Sequence, residues 1–221
     1  LEELKEMKAI SKIKGIGKYA LNVPQMCKPK LSKEFYNVVS KCHGNIVSDA
    51  FNNEVETLRL LILENGGNDL YTIKKNIYTT FSLDDKKKFF TSFISLIDGV
   101  DFFVKNNTVH HDIKEGNIVY NIDTGKSKFI DFGLATQKDK IIRDAKGRGY
   151  GFAISHSYFP PETSCLNKFD FNNNNNSKCA KLKKHFKQHD LFLEKAVDSF
   201  DLYCLCFALL DLTYSLQYKE E

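Results

Sequence analysis

His110-His111-Asp112-Ile113-Lys114-Glu115-Gly116-Asn117 decides the reading of this chain, together with Asp131-Phe132-Gly133, which begins fourteen residues after Asn117. The octapeptide sets a carboxylate, an ammonium two residues later and a carboxamide three further on. Between the two motifs, Ile118-Val119-Tyr120 and Lys128-Phe129-Ile130 flank Asp123-Thr124-Gly125, a pattern that predicts two short strands joined by a tight turn. Such a hairpin folds the second carboxylate, Asp131, back beside Asp112 and Asn117.

Working outward, Ser82 followed by Asp84 and Asp85 predicts a helix start with acidic residues in the first turn. Phe90, Phe93, Ile94, Ile97 and Val100 then recur at three- and four-residue spacing, one apolar face of a helix reaching about Lys105. Leu202 to Leu212 is apolar enough for a buried helix. Upstream, Thr57–Leu63 is an apolar run of strand length, and Glu64-Asn65-Gly66-Gly67-Asn68-Asp69 is a glycine-rich break that reads as a hinge. Asn172–Asn176 has no side chains that pack and reads as a loop. Lys178–Lys187, with Cys179, His185 and His189 nearby, reads as a solvated helix face rather than a zinc or nucleic-acid site.

The bulk properties narrow the class. With 42% hydrophobic and 27% charged residues, the 221-residue chain has an ordinary globular composition. A formal net charge of +4 gives no ground for nucleic-acid binding. No apolar run approaches the roughly 20 residues that span a bilayer, and the charged start Leu-Glu-Glu-Leu-Lys-Glu is unlike a secretory leader. The six scattered cysteines, without a CxxC pair, read as reduced thiols. These features together predict an intracellular, cytoplasmic protein without a membrane partner.

The groups at 110–117 and 131–133 are those that phosphoryl transfer requires: an acceptor for the hydroxyl proton, a cation on the transferring group and oxygens for a divalent metal. Here the sequence resembles the protein kinases: His110–Asn117 resembles their catalytic loop and Asp131-Phe132-Gly133 their metal-binding motif. The resemblance implies that Asp112 positions and deprotonates the substrate hydroxyl, that Lys114 steadies the γ-phosphate of ATP, and that Asn117 and Asp131 hold Mg2+. A lysine at 114 is the serine/threonine form of the loop. Tyr158-Phe159-Pro160-Pro161-Glu162 resembles the end of the activation segment, with Ser155 at the hydroxyl position that bridges the catalytic aspartate and lysine. Asp201-Leu202-Tyr203-Cys204-Leu205-Cys206 resembles the start of the buried C-lobe helix, which implies that Asp201 braces the loop backbone. His43-Gly44-Asn45-Ile46-Val47 resembles the turn after the αC helix and places Glu34 at the αC glutamate.

By the same resemblance the fold is α+β and bilobal, a reduced strand-rich N-lobe over 1–63, a hinge over 64–69 and a mainly helical C-lobe over 70–221 with an insert at 163–195. The Glu64 to Gly66 backbone then meets adenine, with Leu63 as gatekeeper. Gly15-Ile16-Gly17-Lys18-Tyr19-Ala20-Leu21-Asn22-Val23 is similar to a phosphate loop, but Val23 lies only eleven residues before Glu34. The ATP-pairing lysine is therefore assigned to Lys14, with Lys18 and Lys28 as alternatives. His111 replaces the arginine that reads activation-segment phosphate in the family. A histidine of ordinary pKa, ~6.5, is mostly neutral at neutral pH, which predicts little dependence on that phosphorylation. The reading is an ATP- and Mg2+-dependent serine/threonine protein kinase acting on a protein substrate. Its rivals are a pseudokinase scaffold and a small-molecule kinase. Oligomeric state is not legible.

Overall fold

A computed structural model describes residues 7–21, 25–28, 30, 32–39, 60–147, 156–173 and 176–217. The turn at His43–Val47 and the hydroxyl of Ser155 lie outside these residues. The chain divides into a smaller unit, Asn22–Asn65, and a larger one made of Leu1–Leu21 with Gly66–Glu221.

In the smaller unit, β1 (Gln25–Cys27) pairs antiparallel with β2 (Leu60–Ile62), Gln25 opposite Ile62. The apolar run ending at Leu63 thus supplies the expected strand. Between them lies α1 (Lys33–Val39), whose start is marked by Ser32: its Oγ accepts from the Phe35 N–H at 3.2 Å.

The larger unit includes residues 7–21, which pack with Gly66–Glu221 and not with Asn22–Asn65. Ile10, Ile16 and Ala20 are buried among the residues of the larger core. Phe129 donates to the Tyr19 carbonyl at 2.8 Å, Leu21 donates to the Phe129 carbonyl at 3.3 Å, and the Tyr19 ring lies 5.0 Å from that of Phe102. Three apolar anchors and two backbone bonds hold this segment to the helical unit. The glycine-containing stretch is not a strand-turn-strand: Ile16–Lys18 is a 3-10 turn, entered through Gly15 at φ 94°.

Further along the larger unit, β3 (Asn68–Asp69) pairs with β5 (Ile118–Asn121), and β5 with β6 (Lys126–Phe129), in a three-stranded antiparallel sheet. At Gly66 and Gly67 the backbone runs close to its neighbours, most tightly at Gly67. A Cβ on Gly67, which has φ +84°, would lie 2.1 Å from the Tyr120 carbonyl oxygen, and one on Gly66 would lie 2.6 Å from Val119 Cγ2. The β5–β6 hairpin is the one expected across Asp123-Thr124-Gly125. A second pair, β4 (Thr108–Val109) with β7 (Thr136–Gln137), brackets the catalytic loop.

Asp69 caps α2 (Leu70–Thr80) by accepting from the Thr72 N–H at 2.7 Å. Ser82 and Asp85 form a reciprocal capping box at the start of α3 (Leu83–Lys105). The helix bounds match the expectation, but its buried face does not. Phe89, Ser92, Leu96, Gly99, Val100 and Phe103 face the core, whereas Phe90, Ile94 and Ile97 are 39%, 62% and 51% exposed. Gly99 admits the Phe129 ring, and the Ser92 hydroxyl meets the Ser127 hydroxyl at 2.6 Å. Those contacts with β6 select the inward face.

After β7 follow α4 (Lys138–Lys146), α5 (Lys168–Asn172), α6 (Ser177–Phe186) and α7 (His189–Gln217). The buried helix expected over 202–212 is the second half of α7, whose Leu193, Val197, Phe200, Cys204, Ala208 and Leu212 are all buried. Asn172 ends α5 and Asn176 caps α6, accepting from the Lys178 and Cys179 N–H groups, so the asparagine run joins two helices. Cys165 and Cys179 are joined by a disulfide with a Cα–Cα distance of 5.5 Å, which corrects the expectation of reduced thiols for this pair. No described helix is long and apolar enough to cross a membrane.

Candidate active site

The catalytic loop follows β4 and is held from below by α7. Asp201, buried on that helix, accepts from the His110 N–H at 2.6 Å through Oδ2 and from the His111 N–H at 3.0 Å through Oδ1. Two backbone donors on one carboxylate fix the entry to the loop, including His111 at φ 71°. Burial pushes the Asp201 carboxyl up to about 6, with the two N–H groups acting in the opposite direction. The bracing role expected of Asp201 is thus visible in its hydrogen bonds.

His110 is fully buried, its ring 4.5 Å from that of Phe132 and its Nε2 3.0 Å from the Ile130 carbonyl oxygen. Nδ1 is buried without a partner among the described residues. That pattern fits a neutral ring with the proton on Nε2, and burial lowers the His110 pKa to about 4. The His111 ring packs against Phe159 and Phe200, and burial lowers its pKa to about 4 as well. A neutral His111 packed against two rings carries no charge with which to pair a phosphate.

Asp112 lies at the centre. Its Oδ2 accepts from Lys114 Nζ at 2.8 Å and from Asn117 Nδ2 at 2.8 Å; the same Nδ2 also donates to the Asp112 carbonyl at 2.8 Å. Its Oδ1 accepts from the Tyr158 hydroxyl. Burial opposes ionisation of Asp112, but the Lys114, Tyr158 and Asn117 contacts outweigh it and hold the carboxyl below its ordinary range. Because both protons of the Asn117 amide go to Asp112, its Oδ1 is left as the oxygen for other chemistry.

The hairpin brings the second motif back as expected: Ile130 donates to the Asn117 carbonyl at 3.0 Å, one residue before Asp131. Asp131 is exposed, sits at φ 59°, and its Oδ1 accepts from the Gly133 N–H at 3.3 Å. Its neighbour Phe132 is buried against Phe103, rings 5.8 Å apart. Asn117 and Asp131 offer hard oxygen donors, the type Mg2+ takes in company with phosphate oxygens.

Lys14 is exposed, in the turn before the 3-10 segment of the larger unit. Glu34 belongs to the smaller unit, in the first turn of α1, where a hydrogen bond from Ser32 lowers its pKa. Glu64 and Gly66 fall on either side of the boundary between the units. Of the residues behind the zinc alternative, Cys179 is in the disulfide and His189 Nε2 meets the Leu166 carbonyl at 2.8 Å.

Two features escaped the sequence. One is the Tyr158 hydroxyl on Asp112. The other is Lys74 of α2, which bridges Glu115 at 3.1 Å and Asp211 at 2.6 Å. A cavity of about 430 Å³ opens beside the loop, lined by Asp69, Tyr71, Lys114, Glu115, Tyr158 and Asp211 among others. Nothing in the local pattern around Lys74 or Asp211 signals their meeting, since they are 137 residues apart.

The site thus combines a loop aspartate braced through its neighbours' backbone with a second aspartate that follows the β5–β6 hairpin. Residues 9–177 match the family described as protein kinase domain, and the chain belongs to that family, with the reduced α+β fold described above. It is similar to calcium-dependent protein kinase 4 of Plasmodium falciparum, 28% identical over 167 residues, covering 64% of this chain and 32% of the relative. It is also similar to a probable serine/threonine-protein kinase of Dictyostelium discoideum, 28% identical over 152 residues, covering 64% and 15%. A third similarity is to serine/threonine-protein kinase pim-2 of Danio rerio, 37% identical over 75 residues, covering 34% and 22%. The chain therefore spans a third or less of the length of these relatives.

Proposed function

We propose that this chain transfers the γ-phosphoryl group of ATP to serine or threonine hydroxyls of a protein substrate. The observation that carries the reading is the division of labour at Asp112: Oδ2 is tied to Lys114 and Asn117, while Oδ1 faces a hydroxyl. An incoming hydroxyl would donate to Oδ1, and its proton would pass to Asp112 as its oxygen bonds to phosphorus and the bond to ADP breaks. Lys114, half exposed, would turn from Asp112 to the transferring phosphate. Asn117 through Oδ1 and Asp131 through its carboxylate would hold Mg2+, which supplies charge neutralisation for the triphosphate. The smaller unit would serve as the N-lobe, with Glu64 and Gly66 as the adenine-facing hinge, Lys14 as the lysine assigned to the phosphates and Glu34 as the αC glutamate. The lysine 114 form of the loop and the serine/threonine names of the relatives support the acceptor class.

A second reading is favoured by the 3-10 turn at Ile16–Lys18 and the exposure of Lys14: nucleotide binding without turnover, as in a pseudokinase. The test is transfer of labelled phosphate from MgATP to casein or myelin basic protein, with phosphoamino-acid analysis. Phosphoserine or phosphothreonine that disappears in Asp112→Asn supports the enzyme. MgATP binding with no transfer from either protein supports the second reading.

A further inference from the structure

We propose that Tyr158 holds the place of the acceptor hydroxyl on Asp112, so that the described conformation is self-blocked and substrate must displace the tyrosine before transfer; this rests on the kinase reading above. Every oxygen of the Asp112 carboxylate is engaged. Lys114 and Asn117 bind Oδ2, and the Tyr158 hydroxyl binds Oδ1, the one oxygen the loop leaves for a hydroxyl. A serine hydroxyl and the Tyr158 hydroxyl therefore compete for the same lone pairs. The tyrosine is well placed to hold on. Its ring stacks on His156 at 5.0 Å and meets Phe159 edge-on at 5.1 Å, which fixes the direction of the hydroxyl. Burial and the Asp112 charge push the phenol well above its ordinary range, so it is a protonated donor at neutral pH. Tyr158 also forms one wall of the 430 Å³ cavity beside Lys114, so leaving Asp112 would open the base to a chain lying there.

Tyr158→Phe keeps the ring and its packing and removes only the competing hydroxyl. With casein as acceptor, kcat/KM should rise about tenfold, the value of one charge-assisted hydrogen bond. KM for ATP should stay unchanged, since Tyr158 is assigned no contact with the nucleotide. Wild-type transfer above the Asp112→Asn background with no rise in Tyr158→Phe overturns the self-block and leaves the kinase reading standing. Transfer by neither wild type nor Tyr158→Phe above that background removes the kinase reading and the self-block with it. A measurement independent of turnover guards against a poorly folded variant: absorbance titration of the tyrosines in wild type and in Asp112→Asn. One phenol should ionise nearer ~10 once the Asp112 charge is gone, and identical titrations overturn the contact.

Discussion

Replacing Asp201 is the sharpest structural perturbation the site offers. Its carboxylate satisfies two backbone N–H groups, those of His110 and His111, at 2.6 and 3.0 Å. Asp201→Ala leaves both donors buried without partners. Hydrogen bonds to a charged group contribute about 1.5 to 3 kcal/mol each. Burial works against this carboxylate, pushing its pKa up to about 6, so the lower value applies and the pair amounts to about 3 kcal/mol. Asp201→Asn keeps one acceptor oxygen and should lose about half of that. With a urea slope of about 2 kcal/mol/M, the unfolding midpoint at pH 7.5 should fall by about 1.5 M for alanine, with the slope unchanged. Because the loop also carries Asp112, kcat should drop in both variants under conditions where they remain folded. A midpoint shift below about 0.3 M for Asp201→Ala would show that these bonds add little and that the brace is not what holds the loop.

Further expectations follow from the fold. Reduction of the Cys165–Cys179 disulfide, which closes a 14-residue span, should cost about 3 kcal/mol of stability; equal urea midpoints with and without reductant would argue against that bond. Gly67→Ala should destabilise by about 2 kcal/mol or more, because its Cβ would lie 2.1 Å from the Tyr120 oxygen at φ +84°; a midpoint equal to wild type would refute the close approach. The pH dependence has a definite sign. His110 and His111, lowered to about 4 in the fold from ~6.5 in the unfolded chain, take up protons on unfolding and lose stability as pH falls from 6.5 to 4. Asp201, raised to about 6, opposes one of the two. Near pH 5 the unfolded chain thus binds about one proton more, and stability should rise with pH at about 1 kcal/mol per unit; a flat or falling profile would contradict the buried neutral histidines.

The motifs legible in the sequence were those whose chemistry is local. The hairpin of Ile118–Phe129 follows from a turn between two β-rich segments, and the start of α3 follows from Ser82 and Asp85. Asp112, Lys114 and Asn117 sit within six residues, so their meeting needed only a loop. The buried face of α3 was not legible: Phe89, Leu96 and Phe103 recur at helical spacing, and so do Phe90, Ile94 and Ile97. Periodicity cannot choose between two apolar stripes; the contacts of Gly99 and Ser92 with β6 do. The attachment of residues 7–21 to the larger unit depends on backbone bonds to Phe129, more than a hundred residues away, and no local pattern encodes that. Tyr158 reads in sequence as part of a segment end, and its hydroxyl reaches Asp112 across 46 residues only through the tertiary fold. The disulfide is similar: two scattered cysteines acquire a partner only when α6 packs against the 3-10 turn at Pro161–Cys165.

The most direct test of the account is phosphate transfer from labelled MgATP to casein by the wild-type chain beside Asp112→Asn, both shown folded by urea unfolding. The account predicts phosphoserine or phosphothreonine from wild type, and a loss of at least about a hundredfold in the variant. Equal transfer by the two proteins would remove Asp112 from the chemistry. No transfer by either, with MgATP bound, would make the chain a nucleotide-binding module instead of an enzyme.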